Sequence, residues 1–119
     1  MDELLNNAPC GFLVFADDGS IIEANATLID SLGYERGELL KLHVEKIFSV
    51  AGRIFYQTHF FPLLKLQERA DEIFMTFMTT DKQEIPVLLN AQRVCEFGVY
   101  SRSAIGFLER SFRPRTQRP

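Results

Sequence analysis

Residues 72–94 read EIFMTFMTTDKQEIPVLLNAQRV, and this stretch decides the fold. Its first part alternates two sets of side chains, Ile73, Met75 and Phe77 against Phe74, Thr76 and Met78. Period-two order with β-branched and aromatic residues is the signature of a strand. Thr80-Asp81-Lys82-Gln83 is a polar turn, and residues 84–94 return as a second strand with Ile85, Val87, Leu89 and Ala91 on one face. Pro86 has no N–H to give to a ladder, so it belongs at a strand start or at a non-bonded position. The stretch therefore predicts an antiparallel hairpin whose first strand is apolar on both faces.

Upstream of the hairpin, residues 52–66 are the longest helical candidate. A 100° wheel gathers Phe55, His59, Leu63 and Leu66 on one narrow face, with Ile54, Phe61 and Leu64 on another side. Pro62 removes one helical hydrogen bond and is expected to kink or divide this helix. Shorter helices are expected at 35–40 and 44–48. Asn25 is a good N-cap for Ala26 to Leu32, Gly33 is placed to end that helix as a left-handed C-cap, and Tyr34 packs just beyond it. Before these, the apolar run 11–16, the turn Asp17-Asp18-Gly19 and the run 20–24 predict an opening β-hairpin, because Gly19 accepts a positive φ. Residues 2–7 suit a short helix that Ala8-Pro9 would stop. Helices of one or two turns are not stable alone and need a sheet to pack on. Two hairpins separated by a helical cluster mean α+β, with the helices across one face of an antiparallel sheet.

The chain has 119 residues, enough to bury one core without disulfides or metals, and its 46% apolar and 24% charged composition is that of a globular domain. There is no apolar run of spanning length and no signal-peptide order at Met1-Asp2-Glu3, so no membrane segment is expected. Cys10 and Cys95 are too few for a disulfide framework or a cysteine zinc site, and a cytoplasmic setting is the expectation. Charge is uneven. Residues 1–101 carry a net −7 and residues 102–119 a net +4. The acidic body is a poor partner for phosphate backbones, so no nucleic-acid partner is expected, and residues 109–119 read as a basic, disordered tail after a domain of residues 1–108.

No phosphate-binding glycine loop, zinc-protease motif or nucleophile elbow is present, and no catalytic residue or metal site is assigned. Phe is abundant, 11 residues with no Trp, so Phe12, Phe55, His59, Met75, Phe77 and Leu89 are the candidates to line a small apolar pocket between sheet and helices. The competing reading of the same residues is ordinary core filling. Cys10 and Cys95 read as small buried hydrophobes.

Several local patterns, in order, resemble the PAS (Per-ARNT-Sim) domain family: Ala8-Pro9-Cys10-Gly11-Phe12-Leu13-Val14; Asp17-Asp18-Gly19-Ser20-Ile21 followed by Glu23-Ala24-Asn25; Leu32-Gly33-Tyr34 followed by Glu38-Leu39-Leu40; and Thr79-Thr80-Asp81-Lys82-Gln83-Glu84-Ile85-Pro86-Val87. Arg53 and Phe55 through Leu64 resemble a subgroup found in bacterial sensor kinases, phosphatases and diguanylate cyclases. Lys41 stands where that family often has Gly. The resemblance implies a five-stranded antiparallel sheet of order 2-1-5-4-3, with residues 99–108 as its central last strand. It implies no enzyme within this chain, but a sensory or interaction module that relays ligand or partner binding by conformational change. The partner would be an effector domain such as a histidine kinase, phosphatase or diguanylate cyclase of a two-component type system. Some haem-binding relatives place a histidine on the corresponding long helix, which makes His59 the haem candidate. The Asn-Cys-Arg run of flavin-adduct relatives is absent, so no flavin is expected and no cofactor is the default. Apolar residues on both faces of 72–79 predict homodimerisation through the uncovered sheet face and residues 2–7.

Overall fold

The computed structural model describes residues 2–35, 37–40 and 42–109. The expected order of elements is present. A short helix α1 (Glu3–Asn6) leads into β1 (Gly11–Ala16), β2 (Ile21–Ala24) and α2 (Ala26–Leu32). A 3-10 turn (Val44–Ile47) and a long interrupted helix follow, made of α3 (Val50–Phe55), a π turn (Tyr56–Phe60) and α4 (Phe61–Gln67). The chain closes with β3 (Arg69–Met78), β4 (Glu84–Glu96) and β5 (Val99–Glu109). The five strands form one antiparallel sheet of order β2-β1-β5-β4-β3.

Local chemistry explains each junction. The β1–β2 turn has Gly19 at φ 94°, with the Ser20 N–H held by Asp18 Oδ1 at 2.9 Å. Gly33 ends α2 in the left-handed conformation, its N–H on the Ile29 carbonyl at 3.0 Å. The β3–β4 turn then reaches back, and the Thr80 N–H donates to the Leu32 carbonyl at 2.9 Å. Pro86 sits in β4 opposite Thr76, one residue before pairing with β5 begins at Val87, so its missing N–H breaks no central ladder.

Four expectations need correction. The described residues of 35–40 form turns, with Gly37 at φ 86° and the Glu38 N–H on the Glu35 carbonyl, not a short helix. Strand β3 starts at Arg69, earlier than 72, because a bulge at Asp71 and Glu72 lets the ladder resume; Glu72 takes φ 56° and its N–H donates to Asn90 Oδ1. Strand β5 includes Glu109, the residue expected to open the tail; residues 110–119, like Lys41, lie outside the described residues. Cys95 is exposed and Cys10 half-buried, so neither is the buried small hydrophobe expected.

Pairing fixes which side chains look toward the helices. Rows such as Leu13–Ile105–Ala91 and Phe15–Ser103–Arg93 face inward. Their sequence neighbours Phe12, Gly106 and Asn90 face outward, since side chains alternate along a strand. The core lies between the inner face and the helices. No helix among the described residues is long and apolar enough to cross a membrane.

Candidate functional site

The inner face of the sheet is the place where a pocket was expected. There the long helix lays Tyr56, Phe60 and Leu64 against the strands, every fourth residue, all buried. The π turn Tyr56–Phe60 explains why this face differs from the wheel reading. A π turn inserts an extra residue into the helix and rotates everything after it. Pro62 follows directly in the first turn of α4, where a missing N–H is tolerated. His59 is consequently exposed. Its ring stacks on Phe55 (5.7 Å, 11°), and its Nδ1 lies 2.7 Å from Thr58 Oγ1. Leu66 is exposed as well, so the shared apolar face of Phe55, His59, Leu63 and Leu66 does not exist in the fold. The residues present do not fit a haem between helix and sheet. His59 points to solvent, and the inward side of its helix is filled by Tyr56, Phe60 and Leu64.

Of the six pocket candidates, Met75, Phe77 and Leu89 are brought together on the inner face. Phe55 is half-buried against the core, while His59 is exposed and Phe12 lies on the opposite side of the sheet. Aromatic rings occupy the space between. Phe48 packs on Tyr56 (5.3 Å) and Phe77 (5.7 Å), Tyr56 stacks on Phe61 (5.5 Å, 13°), and Phe77 meets Phe107 edge-on at 4.8 Å. Burial, helped by the Glu45 and Asp17 carboxylates, pushes the Tyr56 phenol far above its usual value.

Two polar centres flank this cluster. One is Asn25, fully buried at the start of α2. Its Oδ1 accepts from the N–H groups of Phe12 (2.9 Å) and Leu28 (3.0 Å), and its Nδ2 donates to the carbonyls of Leu5 (2.9 Å) and Cys10 (3.0 Å). Every hydrogen-bonding capacity of one amide is thus used, and α1 is tied to both β1 and α2. Asn6 Oδ1 adds a bond from the Ala26 N–H at 2.9 Å. The second centre is Arg93, a buried guanidinium that the sequence reading did not single out. It forms a two-point pair with Asp17 (2.7 and 3.1 Å) and donates to the Tyr100 carbonyl at 3.0 Å. Tyr100 in turn donates to Glu68 Oε1 at 3.0 Å, and that bond is the main reason its phenol is shifted upward. The pair links the β1–β2 turn to β4 across 76 residues of sequence. Ser103 lies beside it with its hydroxyl buried and without a partner among the described residues.

The outer face is different in character. Phe12, Val14 and Leu88 lie there partly or fully covered, and Phe74 (63%) and Leu108 (55%) are exposed. A shallow depression of about 300 Å³, with Phe12, Asn90, Val94, Ala104 and Gly106 in its lining, runs along the strands. No group of three or more His, Cys, Asp or Glu suited to a metal ion occurs among the described residues.

Comparison with known proteins agrees with this architecture. The family model described as PAS domain matches residues 9–108. Phosphoserine phosphatase RsbP of Bacillus subtilis (strain 168) is 46% identical over 91 residues, which are 76% of this chain and 23% of that protein. The chain therefore spans about a quarter of the length of that curated relative. Among solved structures, a PAS domain from a two-component sensor histidine kinase superposes with a TM-score of 0.75 at 15% identity, covering 90% of both chains. The PAS domain of a protein from Colwellia psychrerythraea gives 0.77 at 10% identity, covering 87% of this chain and 89% of that one. That of an HTR-like protein from Haloarcula marismortui gives 0.71 at 20%, covering 90% and 86%. With the strand order, the Asn25 junction and a family match over residues 9–108 in agreement, the chain belongs to the PAS domain family.

Proposed function

We propose that this PAS domain is the sensory and interaction part of a cytoplasmic bacterial-type signalling protein, and that it relays binding by a change in packing to an effector domain of the parent protein. The observation that carries the reading is the contrast between the two sheet faces. The inner face is closed by fully buried rings, Phe15, Phe48, Phe60 and Phe77, whereas the outer face presents Phe12, Leu88 and Leu108. A contiguous apolar surface of that kind marks a contact. We assign it to a second copy of the domain, with residues 2–7 at its edge, because Asn25 fixes α1 at one end of the sheet. A partner that prefers one arrangement shifts the population by its differential affinity for the two states. The inward packing supports partner contact as the input, and a small ligand would have to displace packed rings to enter. A phosphatase effector is the first choice, on the likeness to RsbP, with histidine kinase and diguanylate cyclase as alternatives.

Native mass spectrometry of the purified protein tests the reading. A dimer of apo mass that becomes monomeric on Leu88→Glu is expected. A monomer at high concentration, or a tightly held small molecule on a monomer, overturns it.

A further inference from the structure

An open groove of about 830 Å³ lies along the β2 side of the sheet. Its floor is apolar, with Ala24, Ile29 and Tyr34 and the exposed Ile22 and Leu40 at its sides. The carboxylates of Glu23, Asp30 and Glu35 rim it, all three exposed. Arg36 and Lys41 lie outside the described residues. Tyr34, Glu35, Gly37, Leu39 and Leu40 form one wall and Ile22 to Ala24 of the edge strand the other. An apolar strip between carboxylates fits a cationic segment that carries an aromatic residue.

The chain contains one such segment. Residues 110–119 read RSFRPRTQRP, with four arginines, no acidic residue and a single aromatic, Phe112. The strand register fixes where it starts. Gly11 pairs with Phe107 and Leu13 with Ala24, so the C-terminal end of β5 and the C-terminal end of β2 emerge at the same end of the sheet. Only β1 separates them, about 10 Å laterally at the usual strand spacing, and Glu109 stands about four residues, or about 13 Å, along the strands from the level of Ala24, so the two points are about 17 Å apart. Ten extended residues reach about 33 Å, and Phe112, three residues past Glu109, reaches about 10 Å. Ala24 therefore lies at the limit of the Phe112 ring, about 10 Å of backbone plus about 6 Å of side chain, and within range of Arg113, Arg115 and Arg118.

We propose that the β2-edge groove is the docking site of the chain's own arginine-rich segment 110–119, with Phe112 against the apolar floor and the arginines against Glu23, Asp30 and Glu35. The contact is independent of what the domain senses. It covers the exposed side of the opening hairpin and ties the exit of β5 to α2, so whatever follows β5 has its position set by occupancy of the groove. Such pairing depends on salt, because rim charges in water are screened over about 10 Å at 0.1 M and about 3 Å at 1 M.

The test places a nitroxide at Thr116→Cys in the full chain, with Cys10→Ser and Cys95→Ser, and reads amide broadening by NMR at low salt. Ile22, Ala24 and Ile29 are expected to lose most of their intensity while Thr76 and Phe77, at the far edge, keep theirs. Adding salt to 1 M, or the pair Glu23→Lys and Asp30→Lys, restores the signals. Arg113→Glu with Arg115→Glu in the doubly lysine-substituted chain brings the broadening back. Even broadening over the surface, a pattern centred on the outer sheet face, or indifference to the charge swaps overturns the proposal. Broadening that appears only when labelled and spin-labelled chains are mixed also overturns it, in favour of exchange between copies.

Discussion

Replacing Asn25 tests whether one amide holds the N-terminal segment to the sheet. In Asn25→Ala four groups lose their partner at once: the N–H groups of Phe12 and Leu28 and the carbonyls of Leu5 and Cys10. Loss of the helix cap alone costs about 1 kcal/mol. Each of the other three groups costs about 1 kcal/mol, the low end for an unmet buried group, because the surroundings of Leu5 and Cys10 are only half-buried and water reaches them. The expected loss is about 3–4 kcal/mol. With a urea slope of about 1.5 kcal/mol/M, typical of a small domain, the midpoint falls by about 2 M. Asn25→Asp separates the two halves of the amide. A carboxylate still accepts from Phe12 and Leu28 but cannot donate to Leu5 and Cys10, and it sets a negative charge beside two carbonyl oxygens. It is expected to keep α2 while releasing α1. Hydrogen exchange then reports fast amides at Leu5 and Asn6 with Leu28 still protected. A midpoint shift below about 0.5 M for Asn25→Ala, or equal protection of α1 in both variants, refutes the reasoning.

Three further outcomes follow from the same structure. Asp17→Asn strands the buried Arg93 guanidinium with the Tyr100 carbonyl; breaking a buried pair costs 3–5 kcal/mol, discounted here to about 2 because Asp17 is partly exposed, and urea titration with the Arg93→Met double mutant checks the coupling. Gly11→Ala drives a methyl to within 2.1 Å of the Phe107 ring; a loss of about 1–3 kcal/mol is expected, recovered in part by adding Phe107→Leu and refuted by wild-type stability. Tyr56 has its phenol held neutral by burial, so its folded value exceeds the unfolded one near 10. The stability tied to that neutral phenol is complete below pH ~10 and declines above it, as the unfolded chain ionises first, by up to about 1.4 kcal/mol per pH unit. Tyr56→Phe is expected to flatten the alkaline limb of the stability curve, and an unchanged slope in both proteins counts against this.

The two hairpins were legible in the sequence because their signals are local, whereas the strand order and the central place of β5 came from the family resemblance. Alternation over 72–94, Gly19 in a tight turn, Asn25 before α2 and Gly33 after it each depend on a few neighbouring residues, and each is where the spacing placed it. The helix 50–67 was legible in extent but not in orientation. A wheel assumes a constant 100° step, and the π turn breaks that assumption between Phe55 and Phe61. The signal was nevertheless present: Tyr56, Phe60 and Leu64 are bulky, four apart and flanked by polar Gln57, Thr58 and Lys65. A constant-step wheel places His59 inward, whereas in the fold it is exposed. Phe12 failed for a related reason, since the strand 11–16 is apolar throughout and alternation cannot say which set faces the helices. Arg93 was invisible because its partner lies 76 residues away.

The two polar centres have a consequence that the apolar core alone would not produce. Packed rings tolerate small shifts, because dispersion contacts are many, weak and not tied to one geometry. Hydrogen bonds to buried groups lose their energy over a few tenths of an ångström and a modest tilt, so they hold discrete arrangements. In this domain those directional contacts sit where the ends of the sheet connect to other elements. Asn25 joins α1 to β1 and α2, and Arg93 joins the β1–β2 turn to β4 and to the start of β5 at Tyr100. Through Asn25, α1 is hydrogen-bonded to the Phe12 N–H of β1. From Gly11 to Ala16, β1 is the ladder partner of β5, so hydrogen bonds connect α1 to β1 and β1 to the strand that runs to Glu109, while the aromatic core lies on the inner face.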